Sequence, residues 1–414
     1  MFGATPIRYL SRSEEIFATG RNFIGLTLYV TGTVDVAALT RAFDALLQTH
    51  PVLAGHLEPG GEGRHQIVVD DYGHPGIWVE KPDQTAPQRL PDQAVALVNV
   101  RLRQLPERAE VTLYTHHALA DAHHQFALVE ELFGHYTDIV GGHQMAGVQA
   151  VPVPQSLEEV LAQRAITKLP RSGLERFMPA VLAHELPPSK RNPGGGAPLP
   201  VRVPSARHRF SAEETRALLG IAGEHRVSVN SLVAAAILIA EWRVRGTPHI
   251  PIPYVYPVNL RYFLSPPVAA TEATNPLGVA TYLAQIGPGT EVVGLARDIT
   301  DAFRADLADG VIAQSLLHFA LQYEGNPPGL PDIVMTTDSG EMPLVRTPSG
   351  VSVDGYHSEV LFASASGFDM YACGTFAGAL LVEYHTHAAD RDRYVDELRD
   401  LLRALPAQYS WAGD

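Results

Sequence analysis

A proline- and glycine-rich stretch over 187–204 constrains the fold more than any other feature of this sequence. It begins Pro187-Pro188-Ser189-Lys190-Arg191-Asn192-Pro193-Gly194-Gly195-Gly196-Ala197-Pro198, a composition that suits a linker rather than the interior of a helix or strand. The chain has 414 residues, more than one hydrophobic core usually organises. The expected division is 1–186, a linker over 187–204, and 205–414.

Each half mixes strand and helix patterns, so the fold class is α/β (α+β), with mixed sheets flanked by helices. In the first half, 11–17 reads as a short capped helix and 22–31 as a strand rich in β-branched and aromatic residues. A helix opens at Asp35, carries Val36, Leu39, Phe43, Leu46 and Leu47 on one face, and ends near His50-Pro51. A hairpin-type loop lies at 60–64. Strands are expected over 93–101 and 109–115, and a helix from about Asp121. In the second half, Ser211 and Glu214 form a capping-box pattern for a helix to about 224. An apolar, buried helix follows over 230–244, a strand over 250–258 and an amphipathic helix over 292–307. Strands are read at 332–336, 359–366, 370–376 and 379–385, with Ala377-Gly378 as a turn, and a helix over 391–405.

The net charge of −14 excludes nucleic acid as a natural partner, because phosphate recognition needs a clustered positive field. No apolar stretch is long enough to span a bilayer, so no stable membrane insertion is expected. The first sixteen residues lack the apolar region of a signal peptide. Cys373 is the only cysteine, which rules out an internal disulfide and thiolate metal clusters and suits a reducing, cytoplasmic setting.

Chemistry concentrates in Tyr114-Thr115-His116-His117-Ala118-Leu119-Ala120-Asp121-Ala122-His123-His124, where a strand hands over to a helix. Three readings compete. Asp121 can simply cap the helix, with the histidines as strand-end and first-turn residues. His117 and Asp121 could belong to a metal site, although no His-Glu-x-x-His pattern is present and adjacent histidines do not readily face one ion. The favoured reading is a general base, since neutral imidazole accepts a proton near neutral pH and an aspartate one turn on can fix the loop.

His116-His117-x-x-x-Asp121 resembles the signature of the chloramphenicol acetyltransferase-like superfamily, which includes nonribosomal peptide condensation domains. Further segments resemble the polyketide-associated acyltransferases of mycobacteria and their relatives: Leu10-Ser11-Arg12-Ser13-Glu14-Glu15, the run from Ala42 to Leu53, the run from Ile252 to Arg261, and Pro327-Pro328-Gly329-Leu330-Pro331. The likeness runs from Ser11 to Trp411 and is weakest in the linker. It implies two chloramphenicol acetyltransferase-like subdomains with the active site in a tunnel between them. His117 matches the general base, His116 its structural neighbour, and Asp121 the aspartate that shapes the loop. Arg261 is expected to pair with Asp121, though it reads equally as a solvated strand-end arginine. The family usually has glycine where this chain has Ala122, a costly exchange if that position needs positive φ. The Asp-Phe-Gly-Trp-Gly motif of condensation domains is missing; Gly367-Phe368-Asp369-Met370-Tyr371 is not that motif.

The resemblance implies direct transfer of a long-chain, methyl-branched acyl group from a thioester to the hydroxyls of a long-chain diol, with no cofactor and no metal. The implied donor partner is the acyl carrier domain of a polyketide synthase of the mycocerosic acid synthase kind, and the expected state is a monomer. Arg226 and Arg304 match arginines that the family is thought to use for that partner, and Arg243 and Arg245 could extend the patch; all four read equally as ordinary helix-surface residues. No Gly-x-Ser-x-Gly nucleophile elbow exists, and Cys373 lies in an apolar, strand-like run that suits core better than a nucleophile. Other readings are a related acyltransferase acting on a sugar or an amine, and a silent carrier-protein binding module.

Overall fold

A computed structural model describes residues 4–70, 73–81, 89–143, 149–184, 199–318, 332–363 and 369–409. Most of the linker (187–198), Pro327–Pro331, Gly367-Phe368 and Trp411 lie outside the described residues. Two six-stranded sheets organise the rest. The first runs Trp78–Glu80, Val98–Gln104, Arg108–His116, Phe23–Thr31, Ser352–Phe362 and Val201–Arg202. The second runs Leu277–Ala284, Ile252–Asn259, Val334–Glu341, Asp369–Phe376, Ala379–Thr386 and Ser205–Arg209. A smaller sheet of Ala4–Tyr9, His65–Asp70 and His56–Pro59 stands beside the first.

The first sheet contains a strand from the far end of the chain. Ser352–Phe362 lies within 205–414, yet it pairs antiparallel with Phe23–Thr31 from Thr31↔Ser352 to Phe23↔Leu361. The two halves of the chain are thereby joined by backbone hydrogen bonds within the first sheet. Pairing partners between strands are non-local, so hydropathy in the second half could not reveal this insertion.

Alternation along the strands separates two faces of the first sheet. Leu26, Leu28, Val100, Val111 and Leu113 face a core filled by Phe43 and Leu46 of the Val36–Thr49 helix and by Leu128, Val129 and Leu132 of the Ala122–Val140 helix. The opposite face carries Phe23, Trp78, Tyr114 and Leu361 around a buried ionic network. There the Glu359 carboxylate accepts hydrogen bonds from Arg101 Nη2 at 3.0 Å and Tyr114 Oη at 2.7 Å, and pairs with Arg202 Nη2 at 2.7 Å. The second sheet packs on Ala212–Glu224, Val229–Arg245, Val292–Ala308 and Arg391–Tyr409. Leu232 to Ala240 is buried throughout, as its uninterrupted apolar pattern requires. Among the described residues no single helix is long and apolar enough to cross a membrane.

Several boundaries move. The strand expected over 93–101 begins at Val98, because Gln93 turns its side chain toward His116 and Leu97 gives its carbonyl to the His116 N–H. The strand expected over 332–336 runs Val334–Glu341, and that expected over 359–366 is the longer Ser352–Phe362. The strand Leu277–Ala284 and the first strand, Ala4–Tyr9, carry too little alternation to be read in advance.

The buried network has a consequence for stability. Burial alone would raise the Glu359 pKa, but hydrogen bonding from His357 and the charges of Arg101 and Arg202 outweigh it and hold the carboxyl at about 2. A carboxyl depressed in the folded state stabilises the fold above its unfolded pKa and loses that contribution as pH falls through the folded value. Urea denaturation should therefore show a contribution from Glu359 that is intact at neutral pH and declines between about pH 4.5 and about 2. Glu359→Ala, which strands the Arg101 guanidinium, should cost about 3–5 kcal/mol at pH 7.

Candidate active site

The histidine motif sits where the strand Arg108–His116 ends against Phe23. His116 is fully buried. Its Nδ1 accepts a hydrogen bond from the Ala118 N–H at 3.2 Å, so the ring proton lies on Nε2, which donates to Gln93 Oε1 at 2.9 Å. Burial, with smaller contributions from His117 and His65, pulls its pKa down to about 3. His116 is thus a neutral, fully engaged strut.

The next residue is held differently. The His117 N–H donates to the Asn22 carbonyl at 2.8 Å, and its own carbonyl accepts from Asn275 Nδ2 at 2.6 Å. Both halves of the chain therefore grip its backbone. The imidazole stacks on Phe17 with ring centroids 4.2 Å apart and planes 20° from parallel. Nδ1 is buried and has no hydrogen bond of ordinary geometry. Nε2 is neither buried nor hydrogen-bonded among the described residues, and the residue as a whole is half-buried. Burial lowers the pKa of His117; its own carbonyl, the Asp121 carboxylate, the Ala120 carbonyl and Asn275 oppose this without reversing it. The result is an oriented, neutral imidazole with one accessible nitrogen, the state a general base requires.

Asp121 caps the Ala122–Val140 helix, with Oδ1 accepting the His124 N–H at 2.9 Å. Its other oxygen pairs with Arg261 Nη1, and both side chains are buried. Arg261 is not a solvated strand-end residue. Its Nη2 donates to the carbonyls of Ala270 at 3.0 Å and Ala273 at 3.3 Å, and Asn259 Oδ1 holds its backbone N–H at 3.0 Å. The same loop returns to the motif: the Thr274 carbonyl accepts the Asp121 N–H at 3.2 Å, and Thr274 Oγ1 donates to the buried Glu14 at 2.8 Å. Ala122 begins the helix with ordinary right-handed backbone, so alanine carries no strain there.

The four histidines point to four different places. His116 meets Gln93, His117 stacks on Phe17, and His123 Nε2 hydrogen-bonds Tyr262 Oη at 3.0 Å. His124 is buried, and neither ring nitrogen has a hydrogen bond of ordinary geometry among the described residues. Among the described residues no group of three or more potential ligands is arranged to hold a metal ion. Cys373 packs at the edge of the second core, and burial, with Asp338 and Glu383, raises its thiol pKa well above the ordinary value.

A cavity of about 630 Å³ adjoins the motif. His123, Asn259, Tyr262, Phe263, Ser228 and Phe303 are among the residues that line it. His117 is not part of this wall. Arg226 and Arg304 flank Ser228 and Phe303 and are brought together, with Arg304 Nη2 at 3.5 Å from the Arg226 carbonyl. Both are exposed. Arg226 occupies the left-handed position (φ 57°) that closes the Ala212–Glu224 helix: its N–H donates to Gly223 O at 3.2 Å, and the Val227 N–H donates to Ala222 O at 3.0 Å. Glycine normally fills this place. Arg243 and Arg245 do not extend the patch. They lie at the opposite end of the Val229–Arg245 helix, roughly 20 Å away at 1.5 Å per residue. Arg243 pairs with Glu397 at 2.5 Å, and Arg245 turns inward to Glu241 at 2.8 Å.

Gln93, Phe17, Thr274, Asn275 and Tyr262 were not anticipated as parts of this site. The Asn275-Pro276 pair does signal a turn, but nothing local ties that turn to His117. The Asp121–Arg261 pair should be strongly coupled. Arg261→Ala and Asp121→Asn should each destabilise by about 3–5 kcal/mol by leaving one charge buried alone. In a double-mutant cycle read by urea unfolding, the combined variant should fall well short of the sum.

Comparison with known proteins places this arrangement in a family. Residues 199–385 match the family model described as phthiocerol/phthiodiolone dimycocerosyl transferase C-terminus. The phthiocerol/phthiodiolone dimycocerosyl transferase of Mycobacterium tuberculosis (strain H37Rv) is 46% identical over 424 aligned positions covering 99% of both chains. The solved structure of polyketide synthase associated protein 5 from Mycobacterium tuberculosis superimposes with a TM-score of 0.89 at 46% identity, over 98% of this chain and 100% of that one. Trichothecene 15-O-acetyltransferase from Fusarium sporotrichioides shares the fold, with a TM-score of 0.71 at 12% identity over 97% of this chain and 95% of its own. An acyltransferase fold with a motif histidine held between its two halves is thus joined to full-length likeness, and the chain belongs to the phthiocerol/phthiodiolone dimycocerosyl transferase family of acyltransferases.

Proposed function

We propose that the protein moves a long-chain, mycocerosyl-type acyl group from a carrier-bound thioester onto the hydroxyls of a phthiocerol-type diol, with His117 as general base. The observation that carries this reading is the state of His117: a ring stacked on Phe17, a backbone held by both halves of the fold, and no hydrogen bond to Nε2 among the described residues. Nε2 takes the proton of the acceptor hydroxyl as its oxygen attacks the thioester carbonyl. The tetrahedral oxyanion then collapses, the C–S bond breaks, and the imidazolium returns the proton to the departing thiolate. Each cycle leaves His117 neutral and needs no cofactor. His116, Asp121 and Arg261 act as positioning residues that hold the loop. The name of the 46%-identical relative supports the substrate classes, and a lone cysteine suits a cytoplasmic reaction.

The donor reading extends to a carrier domain of a polyketide synthase, supported by the close structural likeness to a polyketide synthase associated protein. Acidic carrier domains need a local positive field on a chain of net charge −14. Arg226 and Arg304 supply one beside the cavity.

His117→Ala should lower acyl transfer by about 10²–10⁴-fold or more while leaving the fold intact by circular dichroism. Because burial lowers the His117 pKa, the base is free over the neutral range. The wild-type rate should therefore fall only in acid, with a midpoint below the ordinary histidine value of about 6.5, and be flat above it. A midpoint above that value would contradict the assignment. Charge reversal at Arg226 and Arg304 should raise KM for a carrier-bound donor and spare a small free thioester; equal losses on both would remove the docking role. Arg226→Gly, relieving the left-handed residue, should stabilise the fold by about 1 kcal/mol while still raising KM for the carrier-bound donor.

A further inference from the structure

The two halves of the chain meet at the motif through two adjacent rungs of opposite character. The inner rung is Asp121–Arg261, buried and charged. The outer rung is His123–Tyr262, two residues further along the helix and one residue further along the 3-10 turn Leu260–Tyr262. His123 Nε2 and Tyr262 Oη are 3.0 Å apart, and the rings meet nearly edge-on at 5.7 Å and 76°. Gly340 closes the third side: a Cβ placed there would come within 3.9 Å of His123 Nε2. All three residues line the 630 Å³ cavity, so the outer rung forms the part of its wall next to the motif.

The rungs differ in what it takes to part them. Opening the inner one strands a buried charge. Opening the outer one returns two polar groups to water, which replaces the lost hydrogen bond. Tyr262 is 72% exposed, and exposed side chains change rotamer within nanoseconds. Val258, Phe263, Ile299 and Phe303 give the same cavity an apolar stretch of wall, which suits a hydrocarbon chain.

We infer that the His123–Tyr262 contact is a gate across the motif end of the cavity, which opens to admit the acyl chain of a thioester and so sets how long or branched a chain can be used. The inference rests on the acyl-transfer reading for its substrate, while the inner rung keeps the loop in place as the outer one moves.

The experiment compares wild type with Tyr262→Phe, which keeps the ring and removes the hydrogen bond, Tyr262→Ala, which removes both, and His123→Ala. One arm measures kcat/KM for palmitoyl-CoA relative to acetyl-CoA with a fixed long-chain alcohol. Tyr262→Ala should raise that ratio about tenfold or more, within the range one pocket contact commands, with Tyr262→Phe and His123→Ala in between. The other arm needs no chemistry: stopped-flow entry of a fluorescent long-chain fatty acid should speed up in the same order. Unchanged ratios and unchanged entry rates in folded variants would overturn the gate. If wild type turns over neither thioester, the acyl-transfer reading fails by itself, and the entry rates still decide whether the contact gates the cavity.

Discussion

The buried pair between Asp121 and Arg261 is the interaction on which the rest of the site depends. One aspartate caps the helix through its first oxygen and engages an arginine from the other half through its second. The arginine gathers the carbonyls of Ala270 and Ala273, and that loop presents Thr274 and Asn275 back to the motif. A neutral substitute could fill the space, but it could not bind a carboxylate and two carbonyls at once. Arginine's planar set of donors suits this task better than lysine's single point charge.

The loop architecture divides the labour between neighbouring histidines. His116 has both nitrogens committed, and burial keeps it neutral down to about pH 3. His117, one position on, leaves the strand, stacks on Phe17 and has no hydrogen bond to Nε2 among the described residues. The difference comes from the end of sheet pairing: His116 still lies opposite Phe23, whereas the backbone of His117 passes to contacts with Asn22 and Asn275. A base proposed at this position is therefore prepared by the surrounding backbone before any substrate arrives.

The Ser352–Phe362 strand gives the same coupling at larger scale. It carries Glu359 into the first sheet, where Arg101, Tyr114 and Arg202 converge on it from three strands. The first sheet is completed only by a strand from beyond the linker, whereas the second is built wholly from the second half. This pairing ties together two halves that a proline- and glycine-rich stretch separates in sequence. The exposed arginines follow a different logic: Arg226 is held in a left-handed conformation at a helix end and Arg304 on a helix surface, so their pairing reflects the packing of two helices and no local signal.

The sequence by itself determined the local features. The capping boxes at Ser11 and Ser211, the apolar helix through Leu232 to Ala240, the strand-to-helix handover at His116 to Asp121, and the resemblance carried by His116, His117 and Asp121 are all properties of short windows. Tertiary structure alone decided what joins distant windows: the insertion of Ser352–Phe362 beside Phe23–Thr31, the carbonyl cage around Arg261, the grip of Asn275 on His117, and the inward turn of Arg245. The physical reason is range. Caps, periodicity and turn preferences act over a few residues and are written where they act. Strand pairing and burial of charge depend on partners more than a hundred residues away, whose positions exist only once the chain has folded.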